Sequence, residues 1–159
     1  ILFSRSVREN IAFGKNEATD DEILESIRIA SFADDLENMS EGLDTLVGEK
    51  GVSISGGQKQ RISLARALIK EPEILMLDDS LSAVDAKTEQ NIIANIKENR
   101  ADKTTIISTH RLSAIKEADE IIVLDEGRII ERGTHDELIA IRGWYYEQFV
   151  RQELKAGDE

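Results

Sequence analysis

The chain has 159 residues, of which 40% are hydrophobic and 33% are charged, and it contains no cysteine. This length suits a single globular domain, and the lack of cysteine excludes a disulfide scaffold. No apolar run approaches the roughly 20 residues of a membrane-spanning helix. Because 32 acidic residues outnumber 20 basic ones, the formal net charge of −12 repels a nucleic-acid backbone. The composition therefore predicts a soluble cytosolic protein that has no nucleic acid as a direct partner.

The first 54 residues predict a small helical region. Ser6 with Glu9, and Thr19 with Glu22, have the spacing of capping boxes, in which each side chain bonds the backbone N–H of the other residue. After Thr19, apolar residues recur on one helical stripe and are expected to pack in a core. They are Ile23, Leu24, Ile27 and Ala30.

Ser55-Gly56-Gly57-Gln58 has the spacing of a third capping box and begins a helix that we expect to end near Lys70. The glycines leave the N–H groups of the first turn without side-chain cover. An anion can therefore approach the positive end of the helix closely. Taken alone, these four residues are equally compatible with a plain helix cap.

The apolar run Ile74-Leu75-Met76-Leu77 is typical of a parallel strand that is buried on both faces. Asp78 and Asp79 follow it directly. Because ligands bind at the carboxyl ends of strands in open parallel sheets, these carboxylates suit a hydrated magnesium ion bound to a nucleotide phosphate. A solvated acidic loop is the alternative if this strand is considered alone.

The next helix is predicted to begin at Asp85, whose side chain can cap it. Its buried stripe is predicted from the apolar spacing: Ile92, Ile93 and Ile96. A solvated face is predicted for charged residues near its end: Lys97, Glu98 and Arg100. A second parallel strand, residues 105–109, leads to His110, whose imidazole could hydrogen-bond a terminal phosphate. A lone histidine is otherwise more often structural.

The remaining residues predict a third buried strand, a hairpin and closing helices. The strand is Glu120–Leu124, and Asp125-Glu126-Gly127 turns it into a hairpin. Thr134 caps a further helix, at whose start His135 is expected to be exposed. The closing segment is amphipathic, and its aromatic residues are expected to dock a terminal helix rather than to stack on a base. Its apolar residues are Trp144, Tyr145, Phe149 and Leu154.

Four ordered motifs resemble those of the ABC-type ATPases. They are Ser55-Gly56-Gly57-Gln58, Leu77-Asp78-Asp79, Ser82-Ala83-Val84-Asp85 and Thr109-His110-Arg111. In that order they resemble the signature loop, the Walker B strand, the D-loop and the switch histidine, and the match covers essentially the whole chain. The resemblance implies an α/β P-loop NTPase fold with a parallel sheet and an α-helical subdomain. It places the helical subdomain at 1–70 and the C-terminal part of the ATPase core at 71–159.

The resemblance also implies a role for each motif toward ATP and Mg²⁺. Asp78 would hold the magnesium ion through water, Asp79 would be the general base, and His110 would contact the γ-phosphate. The signature residues would act in trans: Ser55, Gly56, Gly57 and Gln58. They would close over ATP bound to a second nucleotide-binding domain, and Asp85 would relay between the two sites.

Thr45–Gly51 resembles the X-loop of ABC exporters, which touches the intracellular loops of the transmembrane domains. Glu49 would make this contact, and Glu9–Gly14 is similar to the start of the helical subdomain in exporters. An ordinary connection bounded by glycines is the alternative reading. The resemblance thus implies a transport ATPase at the cytoplasmic face of the cell membrane.

The chain starts at Ile1 without an initiator methionine and contains no Gly-rich Walker A sequence ending in Gly-Lys-Ser/Thr. The family places that loop upstream of these motifs, so we expect the chain to be an N-terminally truncated fragment. We expect it to bind ATP weakly by itself and not to hydrolyse it. A missing central strand would also leave unpaired strand edges, which favour self-association.

The family's hydrolysing sites usually carry glutamate at the position of Asp79. Because aspartate is one methylene shorter, we predict a degenerate site in one half of a heterodimeric exporter. Two alternatives concern that site: Asp79 acts adequately as a base, or the chain is a non-hydrolysing regulatory partner. A chromosome-maintenance or translation ATPase is the alternative to an exporter, and the acidic charge and the X-loop argue against it.

Overall fold

The computed structural model of the chain describes residues 1–158, which form two compact units divided between Ser108 and Thr109. The elements of the first unit are β1 (Arg5–Ser6), α1 (Val7–Ala12), α2 (Asp20–Ile29), α3 (Ala33–Glu37), β2 (Leu46–Val47), α4 (Gly56–Leu68), β3 (Ile74–Asp78), α5 (Ala86–Asn99) and β4 (Thr104–Ser108). Those of the second unit are β5 (Ile121–Asp125), β6 (Arg128–Gly133), α6 (His135–Ile141) and α7 (Trp144–Gly157). Short 3₁₀ helices cover Gly42–Asp44 and Leu112–Ile115.

The helix starts of the first unit follow the sequence closely. The capping boxes at Ser6 and Thr19 are both formed, which confirms the predicted starts of α1 and α2. Ile23 and Ile27 are buried among residues of α1 and α4, but Leu24 is 43% exposed. The prediction that Leu24 belongs to the buried stripe is therefore wrong, because α2 turns it away from these neighbours.

Strands β3 and β4 pair in parallel, with Ile74 opposite Thr104 and Asp78 opposite Ser108. This confirms the predicted parallel pair. Burial of β3 on both faces is wrong for this chain, because Leu75 is 4% exposed whereas Met76 is 69% exposed. Leu75 faces the helices of the first unit, and among residues 1–108 no element covers the opposite face. Self-association of the isolated chain, which was expected from unpaired strand edges, stays a prediction.

Arg100 is buried, so its predicted place on a solvated face is wrong. Its guanidinium donates hydrogen bonds to the carbonyl oxygens of Pro72 (2.7 Å) and Thr104 (2.9 Å) and to Oγ1 of Thr105 (3.1 Å). The run of charged residues near the end of α5 could not reveal this burial, because Arg100 lies where the chain leaves the helix and turns towards β4. The side chain therefore fastens the starts of both strands of the parallel pair.

The second unit contains the antiparallel hairpin of β5 and β6, with a register shift between Val123 and Leu124. The hairpin is confirmed, but Leu124 is 68% exposed, so burial of the strand on both faces is again wrong. The core of this unit consists of apolar residues from all its elements except β6: Leu112, Ile121, Val123, Leu138 and Tyr145. Among the described residues, no helix is both long and apolar enough to cross a membrane.

His135 is half-buried rather than exposed, contrary to the prediction. Its Nδ1 lies 2.7 Å from the hydroxyl oxygen of Tyr145, and its ring packs edge-on against Phe149. Burial raises the pKa of Tyr145 to about 12, so this hydroxyl keeps its proton at neutral pH. His135 thus connects α6 to α7, and the predicted docking of the terminal helix through Tyr145 and Phe149 is confirmed.

We expect Arg100→Met to lower the free energy of unfolding by about 2–4 kcal/mol, because it leaves carbonyl groups at both strand starts without their charged donor. Asn99→Ala, at an exposed neighbouring position, is the control and should change it by less than about 0.5 kcal/mol. Urea denaturation of the two variants and the parent chain measures both values. Equal midpoints for Arg100→Met and the parent would contradict the role of Arg100.

Candidate functional site

The first turn of α4 has the geometry of an anion-binding helix start. Ser55 caps the helix: its Oγ accepts from the Gln58 N–H at 3.1 Å, while Gln58 Oε1 accepts from the Ser55 N–H at 2.9 Å. The N–H groups of Gly56 and Gly57 precede the first intrahelical bonds and are not used by the cap. They remain oriented along the helix axis, where the helix dipole is positive.

Gln58 also ties the signature loop to helix α3. Its Nε2 donates to Oδ1 of Asp35 at 3.0 Å, and Arg61 donates to Oδ2 of the same carboxylate at 2.6 Å. Burial acts to raise the pKa of Asp35, but the hydrogen bonds from Arg61 and Gln58 outweigh it and lower the pKa below its usual value. The charged carboxylate therefore stabilises the loop above the usual aspartate pKa, and this support is lost as pH falls through the lowered value.

The two glycines lie against the backbone of the 82–85 segment. A Cβ at Gly57 would be 2.8 Å from the carbonyl oxygen of Ala83, and one at Gly56 would be 3.3 Å from the Ala83 Cβ. Any larger residue at Gly57 must therefore displace this segment. Close packing is a second reason for glycine here, beside the predicted approach of an anion.

Gln60 joins the same two segments, and sequence reasoning missed it. Its Oε1 accepts from the Ala83 N–H at 2.9 Å, and its Nε2 donates to Oγ of Ser82 at 3.0 Å. A signal was present, because Gln60 lies four residues after Gly56 and hence on the same helical face. The structure thus brings the signature residues and the 82–85 segment into one block within the first unit.

Asp85 caps α5 as predicted. Its carboxylate accepts from the Thr88 N–H at 2.9 Å and from the Thr88 hydroxyl at 2.7 Å. These bonds lower the pKa of Asp85, the one from the side chain more than the one from the backbone. Asp85 is exposed, so its ionised carboxylate fixes the end of the segment that packs on the glycines.

Asp78 and Asp79 lie at the carboxyl end of β3, and both are exposed. Asp79 has a φ of +48°, in the left-handed region that aspartate adopts more readily than most residues. Its N–H donates to the carbonyl oxygen of Ser108 at 3.1 Å, which fixes the backbone from which its side chain projects. Strain of this kind is concentrated at functional positions.

No group of three or more acidic, histidine or cysteine side chains among residues 1–158 could hold a metal ion. The carboxylates of Asp78 and Asp79 still fit Mg²⁺ that is bound to a nucleotide, because Mg²⁺ is usually held by one or two carboxylates together with phosphates and waters. Asp78 is placed to supply one such carboxylate. The remaining ligands of the Mg²⁺ ion would come from the nucleotide, from water and from other residues.

His110 follows β4 by two residues and opens the second unit, with an exposed side chain. Its carbonyl oxygen accepts a hydrogen bond of 2.8 Å from Nε2 of Gln152 on α7. Sequence reasoning missed Gln152, which lies 42 residues further along the chain. No local pattern links the two.

The segment that resembles an X-loop contains β2 and the tight turn that follows it. Arg5 of β1 pairs with Val47 of β2, and the turn begins at Gly48 with a φ of +91°. A Cβ at Gly48 would lie 2.9 Å from the carbonyl oxygen of Phe3, so the position requires glycine. The turn leaves Glu49 exposed at its tip, where it is free to contact another molecule.

The helix that begins at Ser55 and packs on the 82–85 segment, and the parallel strand that ends at Asp78, are features of the α/β ABC ATPase fold. The family model described as ABC transporter matches residues 2–82, and the chain belongs to this family.

Two curated proteins are similar to this chain over nearly its whole length. The chain is 62% identical over 159 residues to "Probable multidrug resistance ABC transporter ATP-binding/permease protein YheI" of Bacillus subtilis (strain 168), covering 100% of this chain and 27% of that protein. It is 52% identical over 155 residues to "Multidrug resistance-like ATP-binding protein MdlA" of Escherichia coli (strain K12), covering 98% and 26%. The chain thus spans about a quarter of the length of these curated relatives.

Among solved structures, the chain is similar to a bacterial Atm1-family ABC exporter with ATP bound. The TM-score is 0.88 at 41% sequence identity, and the match covers 96% of this chain and 27% of that one. This similarity confirms the predicted α/β ABC ATPase fold.

We expect Gly57→Ala to destabilise the chain by about 1–3 kcal/mol, because the added methyl group must displace the backbone at Ala83. Helix propensity alone predicts that Gly57→Ala would stabilise the chain, by up to about 1 kcal/mol. Gly157→Ala is the control, since nothing lies within 4 Å of its added Cβ. If urea denaturation finds Gly57→Ala as stable as the parent chain, the close packing on Ala83 is absent.

Proposed function

We propose that the chain is part of the ATP-binding and ATP-hydrolysing component of an ABC exporter, which couples ATP binding and hydrolysis to transmembrane export. The observation that carries this proposal is the single block formed by Gly56, Gly57 and Gln60 with Ala83. In this block, a helix start suited to phosphate lies in direct contact with the loop that ends at Asp85. The names of the relatives, which describe ATP-binding and permease proteins, support export.

The chain's own carboxylates and histidine carry the chemistry on its side of the site. Asp78 would hold Mg²⁺ through water, Asp79 would accept a hydrogen bond from the attacking water as general base, and His110 would donate one to the γ-phosphate. Mg-ATP, when bound, supplies the phosphoanhydride bond and the cation that neutralises its charge. The strained backbone of Asp79 supports this assignment, because its carboxylate has a fixed origin.

The signature residues act on a second nucleotide, held by a partner nucleotide-binding domain. Ser55 and Gln58 hold the loop, while the N–H groups of Gly56 and Gly57 are directed at the partner's phosphates. The catalytic unit is accordingly a head-to-tail dimer, in which Asp85 reports the state of one site to the other. No nucleic acid takes part.

Glu49 contacts the transmembrane domains at the cytoplasmic face of the membrane. Its exposure at the tip of a turn held by Gly48 supports this role. In this assignment residues 1–70 form the helical subdomain with the X-loop and signature, and residues 71–159 form the C-terminal part of the ATPase core.

The site that contains Asp79 is degenerate, and the exporter is a heterodimer in which the partner supplies the efficient base. The bond from the Asp79 N–H to Ser108 holds the backbone in place. A side chain that is one methylene shorter than glutamate therefore falls about 1 Å short of the water, and a displacement of this size can cost about 10²-fold in rate.

By itself, the 159-residue chain should bind Mg-ATP weakly and not hydrolyse it, because it contains no Walker A lysine or phosphate-binding loop. Isothermal titration of the isolated chain should give a dissociation constant above about 1 mM, which corresponds to a binding free energy of less than about 4 kcal/mol. Micromolar affinity would show that the motifs present form a complete nucleotide site.

In the full-length heterodimer, Asp79→Asn should leave most ATP turnover intact, because the partner's base sustains it. The matching substitution at the partner's base should abolish turnover, and Asp79→Glu should raise the rate of this site by up to about 10²-fold. Initial-rate ATPase assays of the three variants decide between the readings. If Asp79→Asn abolishes turnover as completely as the partner's change, Asp79 is an adequate base and the site is not degenerate.

A further inference from the structure

We propose that Gln152 is a positioning residue for His110: through its side-chain amide, helix α7 sets where the imidazole of His110 meets the γ-phosphate. The proposal rests on the role given to His110 under the proposed function. It concerns contacts that lie wholly within the second unit.

The amide group of Gln152 bonds the backbone on both sides of Arg111. Its Nε2 donates to the carbonyl oxygen of His110 at 2.8 Å, and its Oε1 accepts from the N–H of Leu112 at 3.0 Å. One planar amide thus uses its donor and its acceptor on residues that flank a single position. Two bonds to one rigid group restrict both the position and the rotation of the peptide that carries the imidazole.

Gln152 can do this because α7 is itself fixed. The Glu131 carboxylate accepts from the N–H groups of Trp144 (2.7 Å) and Tyr145 (3.3 Å), where a negative charge favours the start of a helix. The Tyr145 ring is fully buried, and its hydroxyl pairs with His135. Tyr145 and Gln152 are separated by two helical turns and lie on the same face, so anchoring the first places the second.

Other contacts also shape the loop near His110. Oγ1 of Thr109 accepts from the Arg111 N–H at 3.1 Å. The buried side chain of Leu112 attaches the loop to the core after the turn. Gln152 adds a side-chain hydrogen bond to the carbonyl group of His110 itself.

If Gln152 had only a structural role, its removal would affect folding and would not change the preference for ATP over ADP. The residue is only half-buried, so water can replace its bonds at little cost to folding. Removing the Gln152 side chain should instead weaken the contact between His110 and the γ-phosphate. ATP has this phosphate and ADP lacks it. Discrimination between ATP and ADP is thus the property to measure, and it does not depend on whether the Asp79 site hydrolyses ATP.

The test uses the full-length transporter with Mg²⁺ and measures photolabelling of this subunit by 8-azido-ATP, in competition with ATP or with ADP. Gln152→Ala should raise the ATP concentration for half-competition about tenfold, the factor expected when a hydrogen bond to a charged group is weakened. The value for ADP should stay within about twofold. Gln152→Glu, which keeps the acceptor for Leu112 but opposes the His110 carbonyl with a carboxylate oxygen, should lose at least as much.

Two controls separate positioning from general damage. Gln148→Ala removes the same side chain one turn earlier on α7 and should leave both competition values unchanged. In a His110→Ala background, Gln152→Ala should add less than about twofold, because residues that act through one contact are not additive.

The outcomes separate this inference from the function on which it rests. If His110→Ala leaves the preference for ATP over ADP unchanged, the role of His110 is wrong and the inference falls with it. If His110→Ala reduces that preference but neither Gln152 variant does, the inference alone is overturned. An equal loss for ATP and ADP, or a loss that persists fully without His110, also overturns it by showing that Gln152 is structural.

Discussion

The close approach of Ala83 to the two glycines of α4 is the contact on which the rest of the site depends. The Ala83 carbonyl oxygen lies 2.8 Å from the position that a Cβ at Gly57 would take, so a larger residue cannot fit without displacing the loop. Gln60 stabilises the same contact through hydrogen bonds with Ser82 and Ala83. The signature loop and the loop that ends at Asp85 are consequently packed into one block.

Long polar side chains that bond distant backbone groups are the second recurring device in this chain. Arg100 holds the starts of β3 and β4, and Arg66 donates to the carbonyl and the side chain of Asn10, both at 2.7 Å. Gln152 does the same at the loop that carries His110. Each side chain bonds backbone groups of another segment and so fixes the position of that segment.

The parallel pair of strands has one covered face and one uncovered face. Leu75 and Leu77 are buried against the helices, while Ile74 and Met76 are exposed on the other face. The continuous apolar sequence is suited to burial on both faces. The uncovered side chains therefore leave an apolar surface on that face of the pair.

The sequence by itself determined the helix starts at Ser6, Thr19 and Ser55, the parallel strand before Asp78 and the order of the motifs. These features depend on residues close together in the chain, whose hydrogen bonds and periodicity can be read locally. Tertiary structure alone decided which charged or polar side chains are buried, as with Arg100 and His135, and which residues support the site, as with Gln60 and Gln152. Their partners lie up to 42 residues away. A long side chain bonds whichever backbone group the fold brings within reach, and no local pattern specifies that group.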